Sequence, residues 1–136
     1  MGFSVIENTN YELVFIAGDD EYIRMNVKDE TGNFIPVDTD VTVKMGIKEF
    51  ISSTEFIIPE EIATTYIYDA DSQPYTIEFA YSSADTISIL GYNGKKRSYL
   101  DCVYDIELHN THLGQNDITT ILSGNLKVRR SIAGAV

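Results

Sequence analysis

Several short segments of this 136-residue chain alternate strictly between apolar and polar residues. The longest example runs from Leu100 to Leu108, where every second side chain is apolar and most positions between them are acidic. Successive side chains of a β-strand point to opposite faces of a sheet, so this alternation predicts a strand with one buried face and one wet face. Cys102 falls on the buried side and is expected to be an inert core thiol.

Four further segments repeat this pattern: 22–28, 41–48, 76–81 and 122–132. The last of them is expected to pair antiparallel with the longest segment, because the polar, glycine-containing loop between the two is typical of a hairpin. In that pairing the outward acidic side chains lie opposite outward basic ones, Asp105 and Glu107 against Lys127 and Arg129. The inward positions predict the core: Ile23, Met25, Val27, Val43, Met45, Phe79, Tyr104, Ile106, Leu126 and Val128.

Turn and helix signals complete the outline. Gly32 and the segment 91–94 predict chain reversals, because glycine adopts a positive φ at little cost. The one helix signal is Pro59 followed by Glu60 and Glu61, which favours at most one short helical turn. Short strands separated by turns predict an all-β protein with one domain over residues 1–136, an antiparallel β-sandwich of about seven to nine strands.

The charge of the chain is high and unevenly distributed. Ten Lys and Arg stand against 21 Asp and Glu, a net charge of −11, which argues against binding to nucleic acid or to an anionic membrane. Six of the ten basic residues lie after position 94, in two clusters: Lys95, Lys96 and Arg97, then Lys127, Arg129 and Arg130. We predict that these clusters form an interface, the basic end of one subunit meeting the acidic end of the next. The alternative is that they are solvated strand ends and loops.

Motifs that carry chemistry are weak in this sequence. A metal site at His109 and His112 lacks a third ligand at a suitable spacing. The segment 69–73, DADSQ, begins like a calcium loop but lacks the glycine at the sixth position and the distal glutamate. We therefore expect no metal, no cofactor and no catalytic residue, in a protein that is not an enzyme.

Three stretches resemble the Ig-like β-sandwich of bacteriophage tail and baseplate proteins, of the kind found at the start of upper baseplate and fibre-connecting proteins. They are GDDEYIRMNVKDETGNFIPVD from Gly18, VYDIELHN from Val103 and ILSGNLKVRR from Ile121. The matching positions are Gly18 and Asp19, Asp29 and Gly32, Val37 and Asp38, the strand from Tyr104 to Leu108, and the closing strand from Leu122 to Leu126. The resemblance implies an Ig-like sandwich with no catalytic residues to carry over.

Together, the resemblance and the absence of catalytic motifs predict a structural or connecting protein of a phage virion, in the tail, baseplate or fibre-attachment region. Its expected partners are other virion proteins and copies of itself in a homo-oligomer, which would order the termini, about 1–10 and 131–136. The alternative is a glycan-binding module on the virion surface, with sugars stacking on Tyr92, Tyr99 or Tyr104.

Overall fold

A computed structural model describes residues 12–28, 31–33, 40–65, 76–111 and 117–131 of the chain. Of these residues, 57% lie in strands and 11% in helices, so the protein is all-β as predicted. Gly32 has a φ of 90°, in agreement with the turn expected there. The expectations for both termini, for the segment 69–73 and for His112 lie outside the described residues.

The described residues form two sheets and one α-helix. In chain order the elements are β1 Leu13–Ala17, β2 Glu21–Asn26, β3 Val41–Lys48, β4 Glu61–Ile62, β5 Thr64–Thr65, β6 Thr76–Tyr81, α1 Ser83–Leu90, β7 Tyr99–Asn110 and β8 Asp117–Arg130. A single 3-10 turn, Tyr92–Gly94, follows α1. The five-stranded sheet has the order β1-β8-β7-β3-β4, and the three-stranded sheet has the order β2-β6-β5.

The predicted hairpin of the last two strands is confirmed, but its predicted register is wrong. Asp105 lies opposite Ser123 and Glu107 opposite Thr120, whereas the partners of Lys127 and Arg129 are Asp101 and Tyr99. The reason is that β8 begins at position 117 and not at 122, so each residue of β7 meets an earlier residue of β8. A bulge after Ile106 also shifts the pairing by one residue and inserts the buried Ile121.

One strand pair departs from the predicted antiparallel arrangement. β1 runs parallel to β8, with Phe15 beside Val128 and Ala17 beside Arg130, which makes the five-stranded sheet mixed. Nearly the whole chain separates these two strands, so no tight turn imposes an antiparallel direction on them. Phe15 and Ala17 are both buried in the core.

The helix prediction is also wrong in its position. The segment after Pro59 forms the short strand β4, because the edge of β3 accepts it: Glu61 pairs with Met45, and the amide of Ala63 donates to the carbonyl of Val43 at 2.9 Å. The helix lies instead at Ser83–Leu90. Its sequence signal is a capping box, in which Ser82 and Asp85 each bond the other's backbone amide.

A single core cluster takes residues from both sheets and from α1. Eight of the ten predicted core residues are buried, and the other two, Ile23 and Met25, are half-buried and pack against the cluster. The alternation along β7 is confirmed from Leu100 to Leu108, since every predicted inward position there is buried. Period two therefore identified the inner faces of the strands correctly.

Candidate interaction surface

The two ends of α1 carry opposite charges. At the beginning of the helix, the carboxylate of Asp20 accepts a hydrogen bond from the amide of Ser83 at 2.8 Å, next to the capping carboxylate of Asp85. At its end, the Arg97 guanidinium donates to the carbonyl of Leu90 at 3.2 Å and to that of Tyr92 at 2.6 Å. Both arrangements stabilise the helix, because each charge interacts favourably with the helix dipole, which is positive at the first turn and negative at the last.

Arg130 joins this basic end of the helix from the other predicted cluster. The alternation along β8 places Arg130 on the same face as the buried Val128, one step beyond the core, where α1 ends. Its Nε donates to the carbonyl of Arg97 at 3.1 Å, and its amide donates to the carbonyl of Ser98 at 3.1 Å. One residue of the second cluster therefore joins the first cluster, which lies about 30 residues earlier in the sequence. We call Lys95, Lys96, Arg97 and Arg130 the basic surface.

The basic surface surrounds a shallow depression of about 130 Å³. Its apolar lining comes from Ala17, Ile87 and Leu90, and its rim is formed by the four basic side chains. An apolar cavity of similar volume, about 150 Å³, accommodates a benzene ring, so this one has room for a single apolar side chain. Chemically, the depression suits an apolar group flanked by carboxylates.

The four basic residues differ in how they are held. Arg97 and Arg130 are fixed by hydrogen bonds to backbone carbonyls, whereas Lys95 and Lys96 are exposed. In the part of the chain that the structure describes, no carboxylate lies within ion-pair distance of either lysine. The lysines therefore keep their charge available for a partner.

The remaining two predicted interface residues lie on another face. Lys127 and Arg129 project from the outer face of the five-stranded sheet, where the ammonium of Lys127 is 5.2 Å from the centroid of the Tyr99 ring. Arg129 lies opposite Tyr99 and donates from Nη1 to the carbonyl of Arg130 at 3.1 Å. Four of the six predicted interface residues therefore lie together in the basic surface, and the other two lie on the outer face of the five-stranded sheet.

A second surface, which the sequence reasoning missed, is the loop 49–60 between β3 and β4. The loop folds back across the outer face of the sheet, where the ring of Phe56 lies on Gly46 and the amide of Ile57 donates to the carbonyl of Ile47 at 2.8 Å. A Cβ at position 46 would lie 2.4 Å from the Phe56 ring, so glycine permits this approach. Beside the loop is an open groove of about 600 Å³ with Glu60, Asp105 and Glu107 in its lining.

The loop carries three exposed large apolar side chains, and the two most exposed are adjacent in sequence. Phe50 is 61% exposed and Ile51 is 88% exposed. The turn that carries them is closed by two hydrogen bonds, from the amide of Phe50 to Ser53 Oγ at 3.1 Å and from the amide of Ser53 to the carbonyl of Phe50 at 3.0 Å. We call Phe50 and Ile51, with the flanking Glu49 and Glu55, the apolar tip; the signal for it is an apolar pair between glutamates in KEFISSTEF.

His109 and Cys102 are the described residues that were candidates for metal binding or nucleophilic chemistry. Glu107 Oε1 and His109 Nε2 are 3.4 Å apart on the outer face of β7. Among the described residues, no three potential ligands of the His, Cys, Asp or Glu type come together. Cys102 is buried and donates from Sγ to the carbonyl of Leu126 at 3.2 Å, and burial raises the pKa of its thiol to about 12. The thiol is therefore neutral at physiological pH and shielded from reagents.

The three tyrosines considered for sugar stacking are in three different environments. Tyr104 is buried in the core, Tyr92 is half-buried against it, and Tyr99 is 55% exposed under Lys127. Stacking on a sugar requires an open ring face. Of the three, Tyr99 is the one with substantial exposure.

No model of a known protein family matches the chain, and no curated protein matches it significantly. The resemblance to phage tail and baseplate domains therefore stays a prediction. Within the described residues, α1 is the longest helix, and neither its length nor its composition would let it span a membrane.

Proposed function

We propose that this protein is a structural, connecting component of a bacteriophage virion, acting in the tail, baseplate or fibre-attachment region through contacts between subunits. The observation that carries the proposal is that Arg130 of the second basic cluster joins the first basic cluster, Lys95, Lys96 and Arg97, around an apolar depression. Charged groups rimming an apolar centre are the usual composition of a protein interface. The proposal also rests on the resemblance of the three sequence stretches to phage tail and baseplate domains.

We regard the core between the five-stranded and three-stranded sheets as a variant of the Ig-like sandwich, with β1 added in parallel to β8. Such a scaffold leaves loops and sheet edges available for neighbouring subunits. The protein then works in the virion as a homo-oligomer in contact with other virion proteins, without an enzymatic activity, a cofactor, or binding to nucleic acid or membrane.

The proposal is tested by incorporation into particles. The wild-type chain should co-purify with intact virions in stoichiometric copies, and Lys95→Glu with Lys96→Glu should lower its copy number, because the charge of the basic surface is reversed. The matched control is Lys95→Arg with Lys96→Arg, which keeps the charge and should keep the copy number. A wild-type chain absent from purified particles would overturn the proposal.

The absence of a metal is tested separately. Excess EDTA should leave the melting temperature of the purified protein unchanged, because no stabilising ion is then removed. A drop of several degrees would instead point to a bound cation at His109 and His112 or at the segment 69–73.

A glycan-binding module is the alternative function, and the exposed ring of Tyr99 under Lys127 is the observation in its favour. Saturable binding on a glycan array, lost on Tyr99→Ala, would support it. Because Tyr99 is on the outer sheet face, this substitution should leave the domain folded, so a loss of binding would report on the ring itself.

A further inference from the structure

We propose that the apolar tip of one copy of this chain binds the basic surface of a second copy, with Ile51 or Phe50 entering the depression between α1 and β8. This deepens the proposed function and rests on it, since it names the subunit contact. The two surfaces belong to different places on the molecule. A contact between two different surfaces is heterologous, and repeating it from copy to copy builds a ring or a filament. Two copies that exchange the contact reciprocally about a two-fold axis would form a closed dimer instead.

The apolar side chains of the tip match the apolar lining of the depression. The depression of about 130 Å³ is lined by Ala17, Ile87 and Leu90, and Ile87 is itself half-exposed. The apolar tip offers two side chains that contribute little to the folded chain's own core. Adjacent exposed apolar residues at a loop tip are costly to leave in water, and they typically mark an interaction site.

The charged residues around those apolar groups are of opposite sign on the two surfaces. Glu49 and Glu55 flank the tip, whereas Lys95, Lys96, Arg97 and Arg130 surround the depression. In the described part of the chain, neither of these two glutamates makes an ion pair. Docking therefore brings acidic flanks against a basic rim with the apolar groups at the centre, the arrangement that gives both specificity and faster association.

The occupant is a second copy because both halves of the match are on this chain. A loop tip in a shallow depression buries much less than about 1,200 Å², the lower limit of a standard interface. We therefore expect weak self-association in solution, with a dissociation constant between about 10 μM and about 1 mM. In a particle, neighbouring subunits would be held at high effective concentration, so a weak contact suffices.

The test is a charge swap followed by sedimentation velocity over a concentration series up to about 1 mM, the upper end of that range. The tip reversal carries Glu49→Lys and Glu55→Lys, and the rim reversal carries Lys95→Glu and Lys96→Glu. Each reversal alone should weaken self-association by more than about tenfold, since like charges then face each other. Both reversals in one chain should restore it, as should an equimolar mixture of the two single-reversal proteins.

Several outcomes would overturn the inference. They are a wild-type chain that stays monomeric up to about 1 mM, the top of the expected range, single reversals that associate as well as wild type, and a combined variant that fails to recover. Circular dichroism of each variant checks that the fold is intact. If self-association is absent but the chain still enters particles in full copy number, only this inference fails; if the chain is absent from particles, the proposed function fails.

Cysteine cross-linking gives an independent readout of the same contact. Native Cys102 is buried, so single cysteines introduced at the surface are the reactive ones. A mixture of Ile51→Cys and Lys96→Cys proteins with a short bismaleimide should give a mixed dimer in several-fold higher yield than the control mixture of Ile118→Cys and Lys96→Cys. Ile118 is 53% exposed and lies at the opposite end of the β7–β8 hairpin, so equal yields would contradict the docking.

Discussion

The basic surface and the apolar tip differ in how far their side chains serve the fold. In the basic surface, Arg97 and Arg130 are hydrogen-bonded to backbone carbonyls, and only the two lysines are left to a partner. In the apolar tip, the backbone is held by Ser53 and by Phe56 on Gly46, while Phe50 and Ile51 project into solvent. In each surface, some residues hold the backbone in place, and different residues are left exposed to a partner.

The largest difference in stability should be between a substitution in the core and one in the apolar tip. Ile106→Ala, at a fully buried position of β7, should lower the free energy of unfolding by about 2 to 5 kcal/mol, because it leaves a cavity. Ile51→Ala should change it by less than about 0.5 kcal/mol, because that side chain is already in water. Urea denaturation of both variants measures this, and an equal cost would mean that the tip packs on the domain.

The next effect tests whether Gly46 positions the loop of the apolar tip. Gly46→Ala places a methyl group against the Phe56 ring and should lower the free energy of unfolding by about 1 to 3 kcal/mol. The same substitution in a Phe56→Ala background should cost less, because the clash is removed. The double-mutant cycle from thermal unfolding gives the coupling, and additive costs would contradict the role of this contact.

A smaller effect separates the anchored from the presented residues of the basic surface. Arg97→Gln removes the cap on the last carbonyls of α1 and should cost about 1 kcal/mol. Lys96→Gln, with the same loss of charge one residue earlier, should be within about 0.5 kcal/mol of wild type. Chemical denaturation compares the pair; equal costs would show that Arg97 acts only through its charge.

The smallest effect concerns Glu61, where the loop of the apolar tip returns to the sheet. Burial raises the pKa of Glu61 above its ordinary value of 4.5, and the negative charge of Asp85 makes a smaller contribution in the same direction. The folded state therefore binds the proton more tightly than the unfolded state, and stability falls as pH rises from the ordinary value through the raised one. Glu61→Gln should raise the melting temperature at pH 7, and this gain should shrink as pH falls toward 4.5. A gain that is independent of pH would contradict the assignment.

The fold could be predicted from the sequence only where local geometry decides it. The alternation from Leu100 to Leu108 identified the inward face of β7 correctly, including the buried Cys102. The helix Ser83–Leu90 carried a readable capping signal in Ser82 and Asp85, but its two isoleucines also suit a strand that ends at a glycine turn. In the segment after Pro59, local preference favoured a helical turn, and the free edge of β3 overrode it.

The candidate surfaces could be predicted in part. The two basic clusters were visible in the sequence, and Arg130 and Arg97 do meet. The apolar tip was not recognised, because a Phe-Ile pair in a β-rich chain is as typical of a buried strand as of an exposed turn. Its exposure depends on Phe56 reaching Gly46 across the sheet, a contact between residues ten positions apart that no periodicity encodes.

Local patterns are enough to predict that this chain is β-rich, which side chains of its long strands face inward, and that its positive charge collects after position 94. These properties follow from the two-residue period of a strand and from composition. Three features become evident only in the folded chain: the register of β7 and β8, the parallel direction of β1, and the contact of Arg130 with the end of α1. Those depend on contacts between distant segments, whose free energy is set by the packed core and the bulge at Ile121, and by no short stretch of residues alone.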